Sequence, residues 1–266
     1  LPGVALVDND SGNSEFAIRG AGQAGRTINA DSAIALLRNG AQVTGGNIGG
    51  RGFARMDFFD LERIEVLRGA QGSLYGANAV GGVISIVSQA PKDEFEATFI
   101  SRYNVTTVGL DLVGVVNAPL TDTLALRAGV DLTEEWEGQV YNTTRDDYMD
   151  STAYRSARAS LGWTPNDANR VIASIDVSRV DEGAGAQIDP QRRRYAAIPE
   201  TFDYLTQVEG DANAKYRQNL FNGSLVWESD WGFADFTSTT NYRWRDAFVL
   251  TDDDGRFPGA PLLSNG

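Results

Sequence analysis

The chain has 266 residues, with 23 Lys and Arg against 36 Asp and Glu and a formal net charge of −13. That balance speaks against a nucleic-acid partner, because phosphate binding needs clustered Lys and Arg. The absence of Cys and His excludes a disulfide framework, thiol chemistry and the commonest general base. Mean hydropathy is −0.28, and no window approaches the ~18 consecutive apolar residues of a membrane-spanning helix. Strands that alternate apolar and polar residues would be hidden in such an average.

Residues 1–92 are dense in glycine. Asn39-Gly40, set between the apolar runs of 33–43, predicts a tight hairpin. Residues 44–53 hold too many glycines for regular structure and read as an exposed tip or a connector. Asp60 and Glu62 suit the positive end of a short helical turn, after which Ile64, Val66 and Leu67 predict a short buried strand closed by Arg68-Gly69. Gly72, Gly76, Gly81 and Gly82 imply tight bends and close backbone approach. Val83 to Val87 is an apolar, β-branched run bounded by Gly82 and Pro91, and so a strand.

After Asp93 the texture changes to period-two alternation, which places a domain boundary between 92 and 93. Seven strands are predicted: 95–103, 108–117, 123–133, 156–163, 171–178, 221–228 and 235–244. In the cleanest, Leu124, Leu126, Val130 and Leu132 share a face opposite Arg127 and Asp131. Leu161, Ile175, Phe221, Leu225 and Phe236 continue the apolar face, and Arg158, Asp176 and Asn241 the polar one. About ten residues of alternation is what a tilted strand needs to cross a bilayer. A soluble sandwich would alternate in the same way, but it has no reason to sort its loops by end. Here short turns at 118–122, 164–169 and 229–232 alternate with long polar links at 134–153 and 180–216, and only the first link, 104–107, is short out of turn. Trp163, Trp227 and Trp231 gather at the short-turn end, with Trp136, Tyr141 and Trp244 at the other. Two aromatic girdles are expected of a barrel in a membrane.

Leu61-Glu62-Arg63-Ile64-Glu65-Val66-Leu67-Arg68-Gly69, Ser73-Leu74-Tyr75-Gly76 and Gly81-Gly82-Val83-Ile84 together resemble the plug signature of TonB-dependent outer-membrane receptors. Phe16-Ala17-Ile18-Arg19-Gly20 and Leu1-Pro2-Gly3-Val4 resemble further elements of that family. The resemblance implies a membrane β-barrel with an N-terminal mixed α/β plug, the plug at 1–92 and the barrel at 93–266. Plugged barrels use about 22 strands, so the expectation is a partial plug followed by the first third of a barrel. It also implies active uptake of a scarce or large ligand across the bacterial outer membrane, driven by the inner-membrane TonB complex. The segment contacting TonB would precede Leu1. The family's plug arginines, here Arg19 and Arg68, would lock the plug to barrel glutamates.

No catalytic constellation, cofactor motif or metal motif is present, so the protein is not read as an enzyme. Asp146-Asp147, Asp150 and 252–254 could hold a hard cation through oxygens, or simply form solvated acidic loops. The basic run Gln191-Arg192-Arg193-Arg194-Tyr195 is either a counter-charge to nearby acids or an anion clamp. Ligand contacts are expected at the outward plug tips, through Gln23, Arg26, Asn47, Arg51 and Phe53, and at Tyr195 in the second long loop. Arg26 and Arg51 would favour an anionic ligand such as a ferric siderophore. An oligosaccharide would lean on Phe53, Tyr195 and Trp136 instead. A ligand-binding β-protein without transport is the alternative of a different class.

Overall fold

The computed structural model describes residues 3–9, 13–21, 33–43, 53–54, 58–76, 78–143, 145–183, 207–208 and 215–250. The N-terminal part builds two small sheets. In the first, β1 (Val4–Asn9) pairs antiparallel with β2 (Asn13–Ile18), and β5 (Phe53–Ala54) adds to β2. The second contains β3 (Ile34–Arg38), β4 (Ala41–Gln42), β6 (Leu61–Arg68) and β7 (Gly82–Ser88), in the order β4-β3-β7-β6.

β3 is buried at every position because both of its faces are covered. Ile34 and Leu36 pack with Ile18, Val43, Ile84 and Ile86 on one side, and Ala35 and Leu37 with Ala79 and Val83 on the other. A continuous apolar strand is what two-sided burial selects. The expected hairpin joins β3 to β4, and its central residues Asn39 (φ 48°) and Gly40 (φ 80°) are both left-handed, as a type I′ turn requires. Gly82 sits at φ 152°, where an added Cβ would lie 2.5 Å from the Leu67 carbonyl oxygen and 2.7 Å from Ile18 Cδ1. Only glycine lets β7 pass that close.

The stretch after Asp60 departs from the expected helical turn and short buried strand. Leu61–Arg68 is a single strand, largely exposed, and Asp60 turns the chain into it at φ 52°. Pairing along β7 outweighs the weak preference of two carboxylates for a helix start. β6 is the edge of its sheet, and the side chains of Glu62, Arg63 and Glu65 pair with one another in solvent, a common protection of an edge. Helix is confined to the single turn α1 (Gly72–Tyr75) among the described residues.

The rest of the chain forms a long antiparallel wall. Its strands are β8 (Glu96–Asn104), β9 (Gly109–Thr121), β10 (Leu124–Glu135), β13 (Thr152–Asn166), β14 (Asn169–Gly183), β16 (Lys215–Asp230) and β17 (Asp235–Leu250). They pair in up-and-down order, giving a seven-stranded sheet with β8 and β17 at its edges. β11 (Tyr141–Asn142), β12 (Asp147–Tyr148) and β15 (Gln207–Val208) make a small separate sheet in the links at one end. The later wall strands reach 15 or 16 residues, longer than the alternation suggested, because pairing continues past it, through polar ends in β13, β14 and β16 and through the apolar 247–250 in β17.

Register places the expected faces. Leu124, Leu126, Val130, Leu132, Leu161, Ile175, Phe221, Leu225 and Phe236 share the outer face, and Arg127, Asp131, Arg158, Asp176 and Asn241 the inner one. Ile175 is 53% exposed and Trp244 50% on that outer face, part of an apolar surface too large to suit water. At the short-turn end Phe236 stacks on Trp231 with ring centroids 5.3 Å apart, and Trp227 meets Phe236 edge-on at 5.2 Å.

Candidate functional site

The inner face of the wall is polar yet buried, because the N-terminal sheets cover it. Arg127, Ser160, Ser174, Ser224 and Asn241 form one row across the strands, and Gly129, Arg158, Asp176, Asn222 and Arg243 the next. Arg127, Arg158 and Asp176 are only 8%, 5% and 4% exposed. Burying charge is costly unless it is paired and hydrogen-bonded, and here it is both.

Two ion-pair clusters join the N-terminal unit to the wall. In the first, Arg127 grips the Asp60 carboxylate with two parallel bonds, Nε to Oδ2 at 2.8 Å and Nη2 to Oδ1 at 2.6 Å. Its Nη1 donates to Glu96 on β8 at 3.0 Å. Such bidentate forks are the stronger kind of charge-assisted bond. In the second, Asp176 Oδ1 accepts from Arg38 Nη2 at 3.2 Å and from Arg158 Nε at 2.5 Å, while Oδ2 accepts from Asn222 at 3.2 Å. Asn222 in turn accepts from Asn241 at 3.0 Å.

Local backbone explains the aim of each plug-side group. Arg38 ends β3 just before the left-handed Asn39, whose side chain accepts the Ser88 N–H at 2.9 Å and so ties the hairpin to β7. Asp60 projects from the bend before β6. Next to it, the Phe59 ring lies 4.8 Å beneath the Arg158 guanidinium, and the Phe59 carbonyl accepts from Arg158 Nη1 at 3.2 Å. Gly129 makes room for that ring, since a Cβ there would stand 2.8 Å from Phe59 Cε2. Below, the fully buried Asn117 of β9 accepts the Lys92 N–H at 3.0 Å and donates to the Lys92 carbonyl at 2.8 Å, fastening the linker to the wall.

Arg127, Arg158 and Asp176 carry the interface as inner-face residues that alternation identified. Of their partners, Asp60 reads in the sequence only as a helix start, and Arg38 and Glu96, with Phe59 and Gly129, were not singled out from sequence. A lone arginine closing the apolar run Ile34–Leu37 was the available signal for Arg38. Arg19 is exposed on the turn after β2, at φ 52°, and Arg68 is exposed at the end of β6. Gln23, Arg26, Asn47, Arg51 and Tyr195, the run 191–195 and the acids 252–254 lie outside the described residues. Phe53 is placed in β5 as backbone alone.

In the link between β10 and β13, the acids serve the loop itself. Asp150 accepts the Gln139 and Val140 N–H groups, each at 2.9 Å. The Tyr141 hydroxyl donates to Asp146, a bond that holds it above its ordinary pKa. Tyr141 and Tyr148 meet edge to face at 5.3 Å. Among the described residues no group of acids is arranged to hold a metal ion.

The family model for the TonB-dependent receptor plug domain matches residues 1–83. The chain is 31% identical over 266 residues to the ferric enterobactin receptor PirA of Pseudomonas aeruginosa, covering 94% of this chain and 32% of that protein. It is 40% identical over 209 residues to the rhizobactin receptor of Rhizobium meliloti, covering 70% of this chain and 27% of the relative. In structure it is similar to the ferric yersiniabactin uptake receptor FyuA of Yersinia pestis, with a TM-score of 0.67 at 19% identity over 94% of this chain and 37% of that one. The chain thus spans about a third or less of the curated relatives' length. A glycine-rich unit latched by charge to the polar face of an up-and-down sheet fits the same pattern: the chain belongs to the TonB-dependent receptor family.

Proposed function

We propose that the protein is an outer-membrane receptor that takes up a ferric siderophore by TonB-dependent transport, with residues 1–92 as plug and 93–266 as the leading part of its barrel. The observation that carries this reading is the pair of ion-pair clusters, Asp60–Arg127–Glu96 and Arg38–Asp176–Arg158. They fasten the N-terminal sheets to a polar wall whose other face is apolar. Charged contacts in a polar lumen can be exchanged for water when a force is applied, so such a unit is held and yet releasable. An apolar interface would hold it without that option.

The siderophore class is supported by the names of the relatives, which are receptors for ferric enterobactin and rhizobactin, and by the fixed positive charge of Arg26 and Arg51. Gln23, Asn47, Phe53 and Tyr195 would complete the outward contact surface. Arg19 and Arg68 would face carboxylates on other barrel strands, and the TonB complex would supply the pull on the plug. The test is uptake of radioactive iron as ferric siderophore by cells whose sole receptor is the full-length protein, with and without a functional TonB complex. Iron accumulation only when TonB is functional is the expected result. Uptake of an oligosaccharide but no iron would replace the ligand class. Release of the protein into buffer without detergent would remove the receptor reading altogether.

A further inference from the structure

The outer face carries arginines at one level, above the apolar band and on the side away from the plug. Arg155 of β13 and Arg179 of β14 stand directly opposite each other in the register. Arg217 of β16 lies one row further along, opposite Asp181. Like charges directly opposite on one face destabilise a sheet, so this pair asks for an anion between them. The neighbouring acids do not fully supply it. Arg155 uses Nη2 on Glu134 at 3.1 Å, and Arg179 and Arg217 each use Nε on the two oxygens of a single carboxylate, Asp181, at 2.7 Å. Three guanidiniums therefore share two carboxylates. The other acid at this level, Asp246, is placed beyond Asn219 on β17.

The geometry of those bonds also sets what remains open. Asp181 holds both of its arginines by Nε, which leaves their Nη groups, the forks that match a phosphate, turned to the surface. The three side chains are 60%, 51% and 45% exposed. The arginines also sit at a telling height. From Leu124, beside Trp163, to Leu132, beside Arg155, a strand tilted by about 40° climbs about 20 Å, close to the height of a barrel's apolar band.

Directly below on the same face, β13 presents Ala157, between Val130 and Val177, and then Ala159, between Ala128 and Ile175. A depression of about 460 Å³ opens from Ala159 onward, one row beyond Ala157, and is lined by Leu126, Leu161, Ile175, Gly223 and Leu225. A charged fork above an apolar trough is the outline of one molecule, with an anionic head and hydrocarbon tails.

We propose that Arg155, Arg179 and Arg217 seat the phosphate of a phosphorylated outer-leaflet lipid whose acyl chain lies along Ala157 and Ala159 into this depression. The proposal rests on the membrane-barrel reading above. The trough selects a lipid over free phosphate, since a soluble anion has no use for it.

The experiment uses the full-length receptor purified in a neutral detergent and native mass spectrometry to count retained lipid. The probes are a bis-phosphorylated glucosamine-disaccharide lipid, its dephosphorylated form and inorganic phosphate. The native protein should retain the phosphorylated lipid at least about tenfold better than the dephosphorylated one. Arg155→Gln with Arg179→Gln should abolish that preference, and Ala159→Trp should lower retention of both lipids. Gel migration before and after heating verifies that each variant still forms a barrel. A double variant that keeps the preference, equal retention of the two lipids by the native protein, or full displacement of lipid by inorganic phosphate would each overturn the proposal. A protein that needs no detergent would instead remove the barrel reading on which it rests.

Discussion

Truncating Asp176 is the sharpest test of the plug–wall interface. Its carboxylate accepts from Arg38 on the plug and from Arg158 and Asn222 on the wall, and the two guanidiniums that share it are only 7% and 3% exposed in their side chains. Removing one member of a buried ion pair costs about 3–5 kcal/mol, most of it from the charge left behind. Asp176→Ala strips the shared acceptor from two cations at once, but water entering a polar lumen resolvates them in part, so about 3 kcal/mol is expected. At about 1.4 kcal/mol per tenfold, the plug should spend roughly 100-fold more time detached from this wall. The measurement is the rate at which a protease cleaves the plug in the purified full-length receptor, under conditions where cleavage follows the open population. Arg38→Ala in the same background should add less than it does alone, with a coupling of about 1 kcal/mol or more. Arg63→Ala, which breaks only the exposed pairs to Glu62 and Glu65, should leave cleavage unchanged. Strictly additive effects of Asp176→Ala and Arg38→Ala would refute the shared-acceptor argument, and an unchanged cleavage rate in Asp176→Ala would refute the latch itself.

Leu126→Arg, on the outer face, should destabilise the full-length barrel by about 2–4 kcal/mol if that position meets the bilayer midplane; denaturant unfolding in lipid vesicles measures it, and no cost would count against membrane exposure there. Gly129→Val should displace Phe59, because even a Cβ would lie 2.8 Å from its ring. Faster plug proteolysis is the expected pattern, with any fall in the barrel midpoint the smaller effect, since the same Cβ would stand 3.1 Å from the Gly114 carbonyl oxygen and from Val115 Cγ2; unchanged proteolysis with a lowered midpoint would place the strain in the wall. Arg26→Ala with Arg51→Ala should weaken siderophore binding without reducing the amount of receptor in the outer membrane. Unchanged affinity would move the site to the long loops.

How much of this was legible in the sequence depended on whether a residue's role is local. The wall was legible because alternation is a property of neighbours along one strand. Leu126 and Arg127 take opposite faces whatever they pair with, so Arg127, Arg158 and Asp176 could be assigned inward before any register was known. The Asn39-Gly40 hairpin was legible for the same reason, since its left-handed turn is set by two adjacent residues. The stretch after Asp60 misled because the local preference of carboxylates for a helix start is worth a few tenths of a kcal/mol up to about 1, too little to oppose a whole strand paired along β7.

The latches were out of reach for a different reason. Asp60 meets Arg127 and Arg38 meets Asp176 across 67 and 138 residues of chain, and nothing near either plug residue announces the partner. What the sequence did contain was the imbalance. A strand that ends to cross an apolar layer has no use for a buried arginine unless something polar covers it, so the inward Arg127 and Arg158 already required a counterpart. The family motif drew attention to Arg19 and Arg68, whereas the wall's own charges pointed to acids and carbonyls near Asp60. Counting charges on the polar face of each barrel strand, and then asking which plug turns could answer them, is the reasoning that reaches these contacts. On that reasoning Arg243, inward-facing on the edge strand β17 with its Nη1 buried and unbonded among the described residues, is the next inner-face charge whose counterpart should be sought.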